Sequence, residues 1–184
     1  MKMLLDKFGY FSLFALYGYY IYLGLFYFKK DQIEDKIHFN LTKYIGLILI
    51  ILLLYLGYYS TITVEQSMII TLLNVLSFYL LVSATRIHSN SPLNFAFSKT
   101  APERITTYGV YKYIRHPIYT SYIIGWTSGI ILTSSLVPVP LIIIMIISYL
   151  AAIKKEEREF LDSSLACEYL AYVNKTQRII PFIY

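Results

Sequence analysis

Arg115, His116 and Tyr119, set around Pro117, and the pair Glu156-Glu157 are the residues of this 184-residue chain whose types and spacing suit chemistry. Pro117 fits the first turn of a helix and disfavours helical backbone at His116. Arg115 and His116 then stand just before a helix N-terminus, where free N–H groups and the helix dipole attract an anion. Arg115 can pair with a carboxylate or phosphate. Glu156 or Glu157 can bind an ammonium or hydroxyl, or orient a catalytic group. Tyr111, Tyr113 and Tyr119 can stack on a ring or a cation. Together they suit a zwitterionic ligand carrying an aromatic base. The same residues also suit a plain interfacial ion pair that anchors two helices.

The elements that must position them are apolar. The chain is 57% hydrophobic and 15% charged, against about 25% charged in an ordinary soluble domain. Its apolar residues gather into long runs, so the expected class is an all-α integral membrane protein. Uncharged runs cover 8–28, 44–64 and 66–85 apart from Glu65, then 117–153. The last run has 37 residues. As one helix it would measure about 55 Å, far more than a ~30 Å hydrocarbon core. Pro138-Val139-Pro140 is the expected break, giving a two-helix hairpin and five transmembrane helices in all. Residues 154–175 carry helical spacing of Phe160, Leu161, Leu165, Tyr169 and Tyr172, which predicts a cytoplasmic amphipathic helix. The chain reads as one domain: three N-terminal spans in 1–85, then loop, hairpin and C-terminal helix in 86–184.

Charge sets the orientation. The lysines and arginines fall in the N-terminal tail, 29–43, 86–116 and 154–184, and none falls near 60–65 or 134–140. The positive-inside rule puts the three longer basic segments in the cytoplasm and the N-terminus outside. With this hydropathy the net charge of +5 reads as basic loops beside a bilayer and not as nucleic-acid binding. Cys167 is the single cysteine, which excludes an intrachain disulfide and a cysteine metal cluster. Thr63 and Gln66 have capping-box spacing with Glu65 in the following turn, so Glu65 reads as a helix-start residue. His38 reads as a solvated loop histidine. Asn74, inside a span, reads first as a packing residue and second as a pocket lining.

The hairpin brings the chemical residues together. Its arms are antiparallel, and position 136, beside the prolines, lies midway between His116 and Glu156. Both ends of the run should emerge at one cytoplasmic rim, close in space.

Gly109-x-Tyr111-x-Tyr113-x-Arg115-His116-Pro117-x-Tyr119, then Glu156-Glu157, then Tyr169-x-x-Tyr172 and Pro181, resembles the isoprenylcysteine carboxyl methyltransferase family and the related phospholipid methyltransferases. The resemblance runs from about residue 86 to 181. It implies a membrane methyltransferase that uses S-adenosylmethionine and a lipophilic acceptor entering from the bilayer. By the same resemblance Tyr111, His116, Pro117, Tyr119 and Glu156 belong to the cofactor site, and Arg115, Glu156 and Glu157 to the catalytic set. Relatives often carry arginine one helical turn before the double glutamate; here that position is Ala152. The acceptor therefore stays open between a prenylcysteine carboxylate, a phospholipid amine and another lipophile. A nicotinamide-dependent membrane reductase and a non-enzymatic membrane scaffold are the competing readings.

Overall fold

The computed structural model describes residues 7–27, 36–87 and 104–180. The stretch 28–35, the loop residues 88–103 with His88 and Pro92, and residues 181–184 with Pro181 lie outside the described residues. So does the side chain of His38. Among the described residues the chain is helical and contains no strand.

Six α-helices follow in order: α1 Phe8–Tyr22, α2 Lys36–Tyr59, α3 Val64–Ile87, α4 Pro117–Thr133, α5 Val139–Leu161 and α6 Ala166–Val173. A π-helical turn, Leu23–Tyr27, extends α1, and a 3₁₀ turn, Gly109–Lys112, precedes α4. Among the described residues, two segments are long and apolar enough to cross a membrane, Phe39–Tyr59 within α2 and Val64–Ile87, which is α3. Their outward faces carry exposed Ile48, Ile51, Met68 and Leu72, a composition suited to lipid contact.

The break between α2 and α3 is set by Thr63. Its N–H donates to Gln66 Oε1 at 2.8 Å, and Gln66 N–H donates to Thr63 Oγ1 at 3.2 Å. This is the capping box expected from the spacing, with Glu65 in the first turn.

The break in the 117–153 run lies earlier than the prolines suggest. α4 stops at Thr133, and Ser134 takes a left-handed conformation with φ 48°. Pro138 and Pro140 then head α5. Proline lacks only an N–H that a first turn leaves unused, so these residues start a helix here and do not end one.

The expected amphipathic helix over 154–175 is also divided. α5 runs through the charged stretch to Leu161, and the chain turns at 162–165 before α6. Ser163 makes that turn: its hydroxyl donates to the Phe160 carbonyl at 2.8 Å and accepts from Leu165 N–H at 3.1 Å. Serine side chains compete for backbone groups in this way and weaken helix continuation. The apolar spacing survives the turn, because Phe160 stacks on Tyr169 at 4.7 Å.

α4 packs along α3 more extensively than along α5. Small residues permit this close approach. Ser77 and Ser121 exchange hydroxyl contacts at 3.0 Å, and Tyr20 from α1 donates to the Ser121 carbonyl at 3.0 Å. Asn74 donates to Ser12 at 2.8 Å and accepts from Ser128 at 2.5 Å. Asn74 therefore ties α1, α3 and α4 together, in agreement with its reading as a packing residue. A Cβ at Gly125 would stand 2.2 Å from the Tyr20 hydroxyl, so this approach requires glycine. The core also includes Leu13, Leu16, Leu49, Leu53, Ile70 and Trp126. Trp126 Nε1 donates to Tyr149 at 3.1 Å, which links α4 to α5 inside that core.

Candidate functional site

α4 and α5 converge where the charged residues begin. Pro117 opens α4 at its first turn, and His116 precedes it with φ −123° and ψ 61°. The conformation is non-helical, as a residue before proline prefers. Thr120 closes the first turn, its N–H donating to the His116 carbonyl at 3.1 Å. Glu156 and Glu157 lie in the penultimate turns of α5, next to each other in sequence and so on different sides of the helix.

His116 sits between the two glutamates. Its Nδ1 is 3.4 Å from Glu156 Oε2, and its Nε2 is 3.4 Å from Glu157 Oε1. Tyr119, one turn along α4, donates to Glu156 Oε1 at 2.6 Å. Arg115 Nε reaches Glu157 Oε1 at 3.3 Å. The structure thus brings Arg115, His116, Tyr119, Glu156 and Glu157 into one cluster. Pro117, fully buried, fixes the backbone beneath it.

Tyr111 stands apart from this cluster. It packs with Ala84 and Val110 in a smaller core against α3. Its carbonyl accepts from the Tyr172 hydroxyl at 2.6 Å, so it is tied to α6. Gly109, at φ +64°, makes the sharp entry to this turn. Tyr113, offered by spacing as a stacking ring, is largely exposed.

The sequence reading passed over Arg178. Its Nε donates to Glu157 Oε1 at 3.0 Å and its Nη2 to Oε2 at 2.5 Å, a two-pronged pair. The segment that carries it lies beside residues 113–116. Gln177 N–H donates to the Tyr113 carbonyl at 3.1 Å, Arg115 N–H to the Gln177 carbonyl at 2.8 Å, and His116 N–H to the Arg178 carbonyl at 3.1 Å. Thr120 Oγ1 donates to the Ile179 carbonyl at 3.0 Å, and Ile179 is buried. Arg115 Nη1 donates to the carbonyl of Thr176 and, at 3.3 Å, to that of Val173. The tail after α6 is thus a strap across the start of α4. An arginine directly before the apolar stretch 179–184 was the available signal, since a charge beside apolar residues that become buried needs a partner.

The electrostatics separate the two glutamates. Burial alone would raise the Glu157 pKa, but His116 and Arg178 outweigh it and bring it from 4.5 down to about 2. Burial alone would lower the His116 pKa, but hydrogen bonds and charge from Glu156 and Glu157 raise it above 6.5. Glu156 meets only Tyr119 and His116 among the described residues, and its side chain is 29% exposed against 11% for Glu157. Burial and the neighbouring Glu157 push the Tyr169 phenol up, so it stays neutral. The arrangement therefore holds one carboxylate kept ionised near neutral pH, Glu157, and one more accessible carboxylate, Glu156, joined by an imidazole.

Among the described residues, two helices are long and apolar enough to cross a membrane, and a charged cluster sits where α4 and α5 converge. A phospholipid methyltransferase family model matches residues 69–166. The chain belongs to that family. The matched stretch includes Arg115, His116, Tyr119, Glu156 and Glu157 and stops before Arg178. No curated protein and no solved structure matches the chain.

Proposed function

We propose that this protein transfers a methyl group from S-adenosylmethionine to a lipid acceptor at the cytoplasmic face of a membrane. One observation carries the reading: in a chain of the phospholipid methyltransferase family, His116 joins two glutamates of unequal exposure where α4 and α5 converge.

The donor set suits the cofactor. Its sulfonium and ammonium are cations, and Glu156 is an accessible carboxylate. Its carboxylate is an anion, and Arg115 and Arg178 supply guanidinium groups nearby. Glu156, His116 and Tyr119 are the residues that would hold it. Bound there, it supplies a methyl group already activated for transfer, so the protein chiefly aligns the reactants.

Glu156 is the candidate base. A carboxylate held at about 2, as Glu157 is, accepts protons poorly near neutral pH. An amine or hydroxyl acceptor must lose a proton, and Glu156 is placed to take it while Tyr119 holds its Oε1. A carboxylate acceptor needs no base. It would also meet two glutamates, with Ala152 where relatives often carry an arginine. An amine or hydroxyl of a lipid is therefore the preferred acceptor.

Five spans with the N-terminus outside belong to this proposal, as does entry of the acceptor from the bilayer. Support comes from the placement of the basic segments and from the two apolar helices.

The test is tritiated-methyl transfer from S-adenosylmethionine into a panel of phospholipid amines, other lipids and prenylcysteine analogues. Label in a lipid amine or hydroxyl is expected. Label only in prenylcysteine would overturn the acceptor assignment. Calorimetry in detergent with no cofactor binding to folded protein would overturn the whole reading.

A further inference from the structure

We propose that Arg178 is a positioning residue of the methyl-transfer site: it locks Glu157 as a fixed anchor, so that His116 presents Nδ1 to Glu156 and Glu156 alone faces the reactants. The inference rests on the function proposed above and deepens it by assigning the two glutamates different tasks.

The geometry carries it. Glu157 receives Arg178 through both oxygens, Arg115 at 3.3 Å and His116 Nε2 at 3.4 Å. Two guanidinium groups more than balance its single charge. Glu156 has no arginine or lysine among the described residues, only Tyr119 and the other ring nitrogen of His116. A planar two-pronged guanidinium fixes both the position and the rotation of a carboxylate, which a point charge does not. Fixing Glu157 fixes the Nε2 side of the imidazole, and a rigid ring then places Nδ1.

The strap holds Arg178 by its backbone. Residues on both sides of it are tied, Gln177 to Tyr113 and Arg115, and Ile179 to Thr120, while its own carbonyl accepts from His116 N–H. Arg178 and His116 are therefore joined twice, through the main chain and through Glu157. No unanchored surface arginine would have this registry.

The groups facing the imidazole come from four elements. Arg115 lies on the strand of chain before α4, Tyr119 on α4, Glu156 and Glu157 on α5, Arg178 on the strap. Tyr169 on α6 stays neutral beside Glu157. Removing Arg178 deletes a cation from this set and leaves Glu157 less balanced, so the His116 proton is held more tightly.

The test uses full-length protein in lipid nanodiscs with labelled histidine, the His116 signal being assigned by its loss in His116→Gln. Compared are wild type, Arg178→Gln, Arg178→Lys and Glu168→Gln, an exposed α6 control outside the cluster. Arg178→Gln is expected to raise the His116 titration midpoint by about 1 unit. Arg178→Lys should keep the midpoint, because the charge remains. It should lose about 10-fold in kcat with KM nearly unchanged, because a lysine does not reproduce the fork. Glu168→Gln should behave as wild type.

An unchanged His116 midpoint in folded Arg178→Gln overturns the inference, as does activity that falls only in proportion to unfolded protein. Wild type that binds no S-adenosylmethionine overturns the functional reading, and the histidine titration still decides the role of Arg178.

Discussion

His116 and Glu157 make stability depend on pH in opposite directions. The His116 pKa is raised above 6.5 in the folded protein. Its contribution is complete below pH 6.5 and is lost as pH rises through the raised folded value. The Glu157 pKa is lowered from 4.5 to about 2. Its contribution is complete above pH 4.5 and is lost as pH falls through about 2. The thermal midpoint should therefore be highest between pH 4.5 and 6.5 and fall on both sides. His116→Gln should flatten the alkaline fall and also weaken the acid fall, because His116 is one of the two groups that lower the Glu157 pKa. Scanning fluorimetry across pH checks both limbs. Glu157→Gln leaves Arg115 and Arg178 facing a neutral amide, and it should cost about 3 kcal/mol in a denaturant titration. Glu156→Gln, at a more open position, should cost far less stability but most of the methyl transfer. Equal losses of stability in the two variants would contradict the division between them.

At the scale of elements, chemistry was more legible than helix boundaries. The spacing of Arg115, His116, Tyr119, Glu156 and Glu157 placed one cluster at the converging ends of two helices, and the distances agree. The box at Thr63 and Gln66 was equally plain, because both of its hydrogen bonds are local. Pro138 and Pro140 pointed to the right turn but to the wrong side of it, since proline favours a helix start as much as it disfavours an interior. The split at Ser163 was hidden because the apolar spacing continues from Phe160 to Tyr169 across it. Arg178 was missed because its partner is twenty-one positions away in sequence and on another element. The pairing of α4 with α3 was not legible either; it depends on which small residues meet. Gly125 tests that pairing. Gly125→Ala sets a methyl against the Tyr20 hydroxyl and should destabilise by about 1–3 kcal/mol, measured by unfolding in mixed detergent. No loss would mean that α1 and α4 can separate freely there.

The whole molecule places a charged site at the edge of an apolar body. α2 and α3 show wide apolar faces to their surroundings, and such faces need lipid or detergent around them. The protein should stay in the membrane pellet through an alkaline carbonate wash; release into the supernatant would count against an integral protein. Under the proposed orientation, with the three longer basic segments in the cytoplasm, a single cysteine introduced at Arg104 of a Cys167→Ser protein should be labelled only from that side. Labelling from outside would reverse the proposed orientation.

The strap has a consequence for the order of folding. Ile114 and Gln177 pair in parallel across 63 positions of chain, so this contact closes a loop containing α4, α5 and α6. Helices form from local contacts, whereas a closure of this length waits until its ends are presented to each other. The site should therefore be assembled last, and it should also be the first part to open. Its amides then report on readiness rather than on global unfolding. In hydrogen exchange, the N–H groups of Arg115, His116 and Gln177 should exchange together and well before those of α3. Cofactor binding should slow those three as a unit.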